Sequence, residues 1–223
     1  MHPIAMLRLI FSLEYMNAYS PDVYKGFDVT EEEVAHFKNS HCGFCNIEMA
    51  RVSYFLQIQI ASISKHRIYN SFSITDVIQE LEGVGRGCKQ RVEQFRHLPL
   101  KGLWKAHFLD ARFIVRNIIN HWGFKAENSS KFNSLCAQVA VEEKKKPSEV
   151  GWQGRLAHAM TIGAYEERAK RHKLTGEWII FSKHNDKNYY LCISKHTSGI
   201  EDVNVFNFLK TVCEHEYPFL LSE

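Results

Sequence analysis

The sequence lacks a long hydrophobic run: nowhere among its 223 residues do about eighteen apolar residues follow one another. No membrane-spanning helix is therefore predicted. The N-terminal segment is apolar, but Arg8 and Glu14 interrupt it, and it has neither the basic start nor the small-residue cleavage site of a signal peptide. We therefore expect a cytoplasmic protein without a membrane partner.

The sequence also lacks a second close cysteine pair. Among its six cysteines only Cys42 and Cys45 stand near each other, and without a secretory signal all six are expected to be reduced thiols. Two thiolates separated by two residues form half of a zinc site, with His41 as a further candidate ligand. Cys42 and Cys45 are thus the candidate metal ligands, and a pair of buried free thiols is the alternative reading. No cofactor is predicted.

Acidic residues are scarce between Gly83 and Lys125, where only Glu93 and Asp110 occur. Nine cations stand in the same segment, which gives it a charge of about +7 and leaves about −4 for the remainder. They are Arg86, Lys89, Arg91, Arg96, Lys101, Lys105, Arg112, Arg116 and Lys125. This segregation favours an anionic partner, although acids from elsewhere in the fold could balance a solvated face.

Helical spacing dominates the first two-thirds of the chain, and the last third mixes helix and strand patterns. Thr30 with Glu33, or Asp28 with Glu31, has capping-box spacing for a helix to about Asn39. Residues 178–181 and 189–193 are rich in aromatic and β-branched side chains and flank a polar turn, which predicts a hairpin. The predicted fold is mainly α with a small C-terminal α+β segment of helix, β-hairpin and helix.

A charged segment at residues 142–149 contains Pro147 and has no apolar periodicity, so it is the best candidate domain boundary. It would separate a helical domain with a basic centre, residues 1–145, from a small α+β domain or extension, residues 150–223.

The stretch 99–123 predicts a central helix from about Leu103 to Trp122 that Gly123 ends. Its apolar residues recur at helical spacing and are expected to face a core: Phe108, Ala111, Ile114, Val115, Ile118 and Ile119. Near its start, cations alternate with an aromatic ring, as in proteins that bind single strands. These candidate nucleic-acid contacts are Lys101, Trp104, Lys105, His107 and, further along, Arg112. A place for Trp104 in the core is the alternative.

Within this stretch, Arg116 is followed by a polar residue and, five positions on, by His121. The short motif resembles the active site of HEPN-type ribonucleases. That resemblance implies a helical protein that cuts RNA without a metal at a dimer interface. His121 would transfer a proton at the ribose or at the leaving oxygen, and Arg116 would hold the phosphate. The alternative is a surface arginine and a histidine that interacts with exposed carbonyls at a helix end.

The segment Gly83-Val84-Gly85 follows a helical stripe and precedes Val92, which is expected on a second helix. This arrangement resembles the helix-hairpin-helix motif of DNA-binding proteins, whose glycine turn presents amide groups to a phosphate. Arg86, Lys89 and Arg91 would add attraction that does not depend on sequence. An ordinary glycine loop is the alternative.

The C-terminal part contributes a further set of candidates: His158, Arg168, His172, His184 and His196. A helix before a hairpin with such residues resembles small ribonuclease toxins of the RelE and barnase kind, which place acid–base residues on the sheet. A packing or dimerisation domain is the alternative.

Together these patterns predict a nucleic-acid-acting protein, a metal-independent ribonuclease of toxin or antiviral-defence type that acts on RNA rather than DNA. Two alternatives stay open. One is a DNA-binding protein without enzymatic activity, and the other is a protein-interaction module such as an immunity or antitoxin protein. The corresponding protein partners are a second copy of the chain and a cognate inhibitor or toxin.

Overall fold

A computed structural model describes residues 21–85, 92–123, 129–171 and 176–220. The chain divides into two compact units. One unit joins Met1–Phe108 to Glu177–Glu223, and the other is Leu109–Gly176. The second unit is thus an insertion into the first. This division differs from the expected boundary at residues 145–150, which falls inside the inserted unit.

Helices form the first half of the larger unit: α1 (Pro21–Phe27), α2 (Glu31–Ser40), α3 (Tyr54–Lys65) and α4 (Ser71–Leu81). Two short 3-10 turns, Cys42–Phe44 and Met49–Arg51, connect α2 to α3. The capping box that opens α2 is the Thr30–Glu33 pair, in which each side chain accepts a hydrogen bond from the backbone N–H of the other residue. Helix α3 is buried almost all round from Phe55 to Ile63.

A four-stranded antiparallel sheet completes this unit, in the order β1 (Val92–Gln94), β2 (Trp104–Phe108), β3 (Glu177–His184) and β4 (Lys187–Ser194). The last helix, α9 (Ile200–Cys213), follows β4. The predicted hairpin is confirmed as β3 and β4, and a mainly helical fold with some β-structure is confirmed as well. The sheet is not only C-terminal, however, because two of its strands come from the middle of the chain.

The first half of the predicted central helix is the strand β2. Its five residues pair with β1 on one side and with β3 on the other, in a register that joins Ala106 to Val92 and to Ile179. Alternation places Trp104, Ala106 and Phe108 on one face of the sheet and Lys105 and His107 on the other. Backbone pairing with a strand about seventy positions away has overridden the helical spacing of these residues.

All the regular elements in the described part of the inserted unit are helical. After a 3-10 turn at Ala111–Phe113 come α5 (Ile114–Trp122), α6 (Ser130–Lys145), α7 (Gly151–His158), a π-helical turn (Ala159–Gly163) and α8 (Ala164–Lys170). Helix α5 packs against α8, and α6 packs against α7. As predicted, Gly123 ends α5, in a left-handed conformation with φ 67°.

Helix α5 turns a different side inward from the one its sequence predicts. Asn117, His121 and Trp122 are its buried residues. Ile114, Val115 and Ile119, which were expected to face a core, are exposed, and so is Ala111 in the turn before α5. The expectation was therefore wrong for these four residues, because periodicity locates an apolar stripe but does not identify what covers it.

Candidate functional site

An open cleft of about 910 Å³ lies along the β1–β2 side of the sheet. Strand β1 and the bend after it form one wall, and β2, β3 and the start of α9 contribute the remainder. The lining residues are Val92, Glu93, Gln94, Phe95, Arg96, His97, Trp104, Lys105, Trp178, Thr197, Ser198 and Asp202. All of them belong to the larger unit.

Lys105 is held in this cleft by its neighbours. Its Nζ lies 4.0 Å from the centre of the Trp178 ring and 4.9 Å from that of Phe95. A carboxylate oxygen of Glu93, the residue paired with Lys105 across the strands, is 3.8 Å away. Cation–π attraction from two rings therefore fixes the position of an ammonium group that also has an acidic neighbour.

The rings behind Lys105 are packed rather than open. The Trp178 Nε1 donates a hydrogen bond to Nε2 of His107 at 2.9 Å, and His196 stacks on Trp178 with ring centres 4.4 Å apart. Because Nε2 of His107 accepts this bond, its ring carries no proton on that nitrogen. His107 is buried, so it supports the cleft wall and is not the surface contact that the sequence predicted.

Trp104, Arg96 and His97 offer more accessible surfaces at the cleft. Trp104 is half-buried, stacks on Phe181 and has Nζ of Lys183 4.3 Å from its ring centre. Arg96 and His97 are exposed in the bend after β1. The predicted contact Lys101 is exposed in the turn that connects β1 to β2. Trp104 and Lys105 thus both line the cleft although they project from opposite faces of β2, and Arg96 and His97, which were not among the predicted contacts, line it as well.

The glycine turn after α4 differs from a helix-hairpin-helix. Gly83 has a φ of 73° and is open to solvent, but Gly85 packs against Glu80, whose carboxylate would lie 2.4 Å from an added Cβ. Val92 begins a strand and does not lie on a second helix, so the expectation of such a helix was wrong at this position. A carboxylate beside the turn also disfavours a phosphate there. Arg86, Lys89 and Arg91 lie outside the described residues.

Arg116 and His121 are not brought together within one chain. Arg116 is exposed, whereas the side chain of His121 is only 3% exposed and has Nε2 3.5 Å from a carboxylate oxygen of Glu167. Burial lowers the pKa of His121, and the positive charge of Lys131 lowers it further, against the opposing effect of Glu167. His121 is therefore neutral at pH 7. Arg112, another predicted contact, is exposed just before α5.

The buried side of α5 is a polar centre of the inserted unit. Asn117 donates a hydrogen bond to the Phe113 carbonyl at 2.9 Å and accepts one from Nε of Arg168 at 3.3 Å. The Trp122 indole donates to the Met160 carbonyl, which lies in the π-helical turn, at 2.8 Å. These bonds fix how α5 is rotated about its axis.

Cys42 and Cys45 are exposed free thiols and not the buried pair that was one alternative. His41 is engaged elsewhere: its Nδ1 accepts a hydrogen bond from the Gly43 N–H, and its Nε2 lies 2.8 Å from the Ser71 hydroxyl. Across the described part of the chain, no three His, Cys, Asp or Glu side chains group closely enough to hold a metal ion.

Comparison with protein families, with curated proteins and with solved structures finds no match to this chain. The resemblance to HEPN-type ribonucleases therefore stays a prediction. In the ranges that the structure describes, no helix combines the length and the apolar character needed to cross a membrane.

Proposed function

We propose that the protein binds single-stranded RNA in the cleft beside β1 and β2. The observation that carries the proposal is that one open cleft is lined by Arg96, His97, Trp104 and Lys105, with Trp104 and Lys105 projecting from opposite faces of β2. Cations hold backbone phosphates, and accessible rings stack on bases, which is the combination that single-strand binding uses. The interleaved cations and aromatic ring of the sequence lead to the same class of ligand.

The cleft contains acidic as well as basic side chains, which limits its long-range attraction for RNA. Glu93 and Asp202 line it together with Arg96 and Lys105. Long-range attraction from the cleft itself is therefore small, and affinity has to come from direct contacts to a few phosphates and bases. An unpaired strand meets this requirement because its bases are free to stack.

Anisotropy of a fluorescein-labelled RNA oligonucleotide tests the proposal. Replacing Trp104 with alanine should weaken binding by about tenfold, since stacking on one ring contributes about 1–3 kcal/mol. Trp152→Ala is the matched control, because Trp152 is an exposed tryptophan of the inserted unit. Thermal unfolding of both variants establishes that the fold is retained. Equal affinities of Trp104→Ala and the parent protein would contradict the proposal.

A second candidate function, metal-independent RNA cleavage, is favoured by the acid–base groups of the same cleft. Glu93 and His97 are a carboxylate and an imidazole, and Arg96 lies between them in sequence. Glu93 would accept the proton of a ribose 2′-hydroxyl while the 2′-oxygen attacks the adjacent phosphorus. His97 would protonate the departing 5′-oxygen, which leaves a 2′,3′-cyclic phosphate.

Incubation with total RNA in EDTA tests this second function and separates its two candidate sites. Cleavage in the cleft predicts that Glu93→Gln and His97→Ala abolish activity, while Arg116→Ala and His121→Ala retain it. The reverse result would assign cleavage to the Arg116–His121 pair, with a second subunit completing the site. Intact RNA in every reaction would leave binding as the function.

A further inference from the structure

Helix α5 exposes apolar side chains on the side opposite to its buried polar ones. Val115 is 65% exposed and Ile119 is 38% exposed. At 100° per residue, these two positions lie opposite to Asn117 and His121, both of which are buried. A helix that encloses an asparagine and a histidine while it presents valine and isoleucine to solvent reverses the usual arrangement.

This orientation is fixed by specific contacts and is not a loose fit. Asn117 is completely buried, and its amide both donates to Phe113 and accepts from Arg168. The indole of Trp122 is bonded to the Met160 carbonyl. Rotating α5 to cover Val115 and Ile119 would break these bonds and leave buried polar groups without partners, which is costly. The apolar side is therefore held outward.

Two arginines flank the exposed apolar pair. Val115, Arg116 and Ile119 lie along one side of α5, and Arg112 precedes them in the 3-10 turn that leads into the helix. We call these four residues the α5 seam. Helix α5 itself contains no acidic residue, and within the described chain Arg116 has neither a hydrogen bond nor an ion pair. The α5 seam is thus apolar along its middle and positively charged beside it.

From this pattern we propose that the α5 seam docks an amphipathic helix of a protein partner, with apolar residues on its contact stripe and Asp or Glu beside that stripe. Valine and isoleucine at i and i+4 supply the surface against which such a helix packs. The arginines select partners by charge, because acidic residues next to the stripe would pair with Arg112 and Arg116.

A second copy of this chain fits the seam poorly. In a two-fold contact each α5 would meet the other α5, and the arginines would face arginines with no acid in either helix to separate them. Such like-charge contacts oppose association. Charge complementarity therefore points to a different, acidic protein.

The test uses the full-length protein and a labelled synthetic helix with leucine at its a and d positions and glutamate at its e and g positions. A second peptide with lysine in place of glutamate is the charge control. We expect the acidic peptide to bind at least about tenfold more tightly than the basic one. Val115→Glu and Arg116→Glu should each weaken acidic-peptide binding by about tenfold.

Val141→Glu is the matched control, because Val141 is an exposed valine on the neighbouring helix α6 and lies outside the seam. Thermal melts of all three variants should match the parent. Equal binding of both peptides, or equal effects of Val115→Glu and Val141→Glu, would overturn the proposal. A dimer that forms through the seam would also overturn the proposal. Light scattering would then show a molar mass that doubles as the protein concentration rises, and Val115→Glu would return it to the mass of a monomer. A loss of RNA affinity in Arg116→Glu without any loss of peptide affinity would assign the seam to nucleic acid instead.

Discussion

Glu82 follows the last turn of α4 and accepts hydrogen bonds from three side chains of two other segments, a 3-10 turn and strand β4. Arg51 contacts both of its carboxylate oxygens, the Tyr190 hydroxyl lies at 2.7 Å and the Asn188 amide at 3.3 Å. Burial acts to raise the pKa of Glu82, but these hydrogen bonds and the charge of Arg51 together lower it below its ordinary value. Glu82 therefore links a 3-10 turn, a helix end and strand β4 through an ionised carboxylate.

Replacing Glu82 with glutamine should destabilise the fold by about 3 kcal/mol at pH 7, because the buried Arg51 would keep only the exposed Glu48 as a countercharge. A lowered pKa in the folded state means that the carboxylate stabilises the fold above the unfolded-state pKa of about 4.3 and loses this effect as the pH falls. The stability difference between parent and variant should thus shrink below about pH 4. Urea unfolding of parent and variant at pH 7 and below about pH 4 measures this difference.

Glu201→Gln is the control for this experiment, since Glu201 forms a partly exposed ion pair with Lys195 at 2.7 Å. Its effect should stay within about 1 kcal/mol. Equal effects of the two substitutions would show that the Glu82 contacts do not stabilise the fold.

Gly43 lies where almost no space remains for a side chain. A Cβ atom at this position would meet the Thr75 hydroxyl at 2.1 Å and the His41 ring at 2.6 Å. We expect Gly43→Ala to lower the free energy of unfolding by about 1–3 kcal/mol, because His41 would have to leave its hydrogen bond to Ser71. In Gly163→Ala the added atom has its nearest neighbour at 3.7 Å, so this helical control should be neutral or stabilising. Urea titrations of the two variants compare them directly.

At the scale of elements, the sequence predicts the pieces whose signals are local. The Thr30–Glu33 box places the start of α2, Gly123 ends α5, and the polar turn between two aromatic-rich runs forms the β3–β4 hairpin. Strand β2 was missed because one of its two partners, β3, lies beyond the whole inserted unit, and no local pattern reports such a pairing.

The residues of the candidate site likewise divide into those with a local sequence signal and those without one. Trp104 and Lys105 were identified from their composition, and both line the cleft. Arg96 and His97 were missed because their role depends on β1 being a strand. No period-2 alternation marks this strand, since the apolar residues of 92–97 are Val92 and Phe95, three positions apart.

The turn of the β3–β4 hairpin gives an element-scale prediction. Asn185 and Asp186 connect the paired residues His184 and Lys187, and both have positive φ, 49° and 59°. A two-residue turn of this kind favours glycine at its second position. Asp186→Gly should therefore raise the free energy of unfolding by up to about 1 kcal/mol, and Asp186→Val should lower it. Thermal melts of the two variants that shift in the same direction would contradict this account of the turn.

At the scale of the molecule, the basic segment of the sequence does not belong to one compact unit. Arg96, Lys101 and Lys105 lie in the larger unit, whereas Arg112 and Arg116 lie in the inserted one. RNA held only through Arg96 and Lys105 should give a shallow salt dependence. Each contacted phosphate of a single strand contributes about −0.7 to the slope of log K against log salt concentration, so two contacts give about −1.4. Engagement of all nine cations would give about −6. Anisotropy titrations across a series of salt concentrations decide between the two values.

The geometry of the sheet allows the inserted unit to be replaced by a short turn between β2 and β3. Phe108 at the end of β2 and Glu177 at the start of β3 are paired residues on neighbouring antiparallel strands, and residues 109–176 begin and end between them. Replacing 109–176 with a short Asn-Gly turn would convert β2 and β3 into an ordinary hairpin.

We expect this variant to unfold in one cooperative transition and to bind the RNA oligonucleotide within about threefold of the parent, because every residue that lines the cleft is kept. Binding of the acidic peptide should be lost, since the α5 seam is gone. A folded variant that no longer binds RNA would place the essential contacts in the inserted unit, where Arg112 and Arg116 are the first residues to replace.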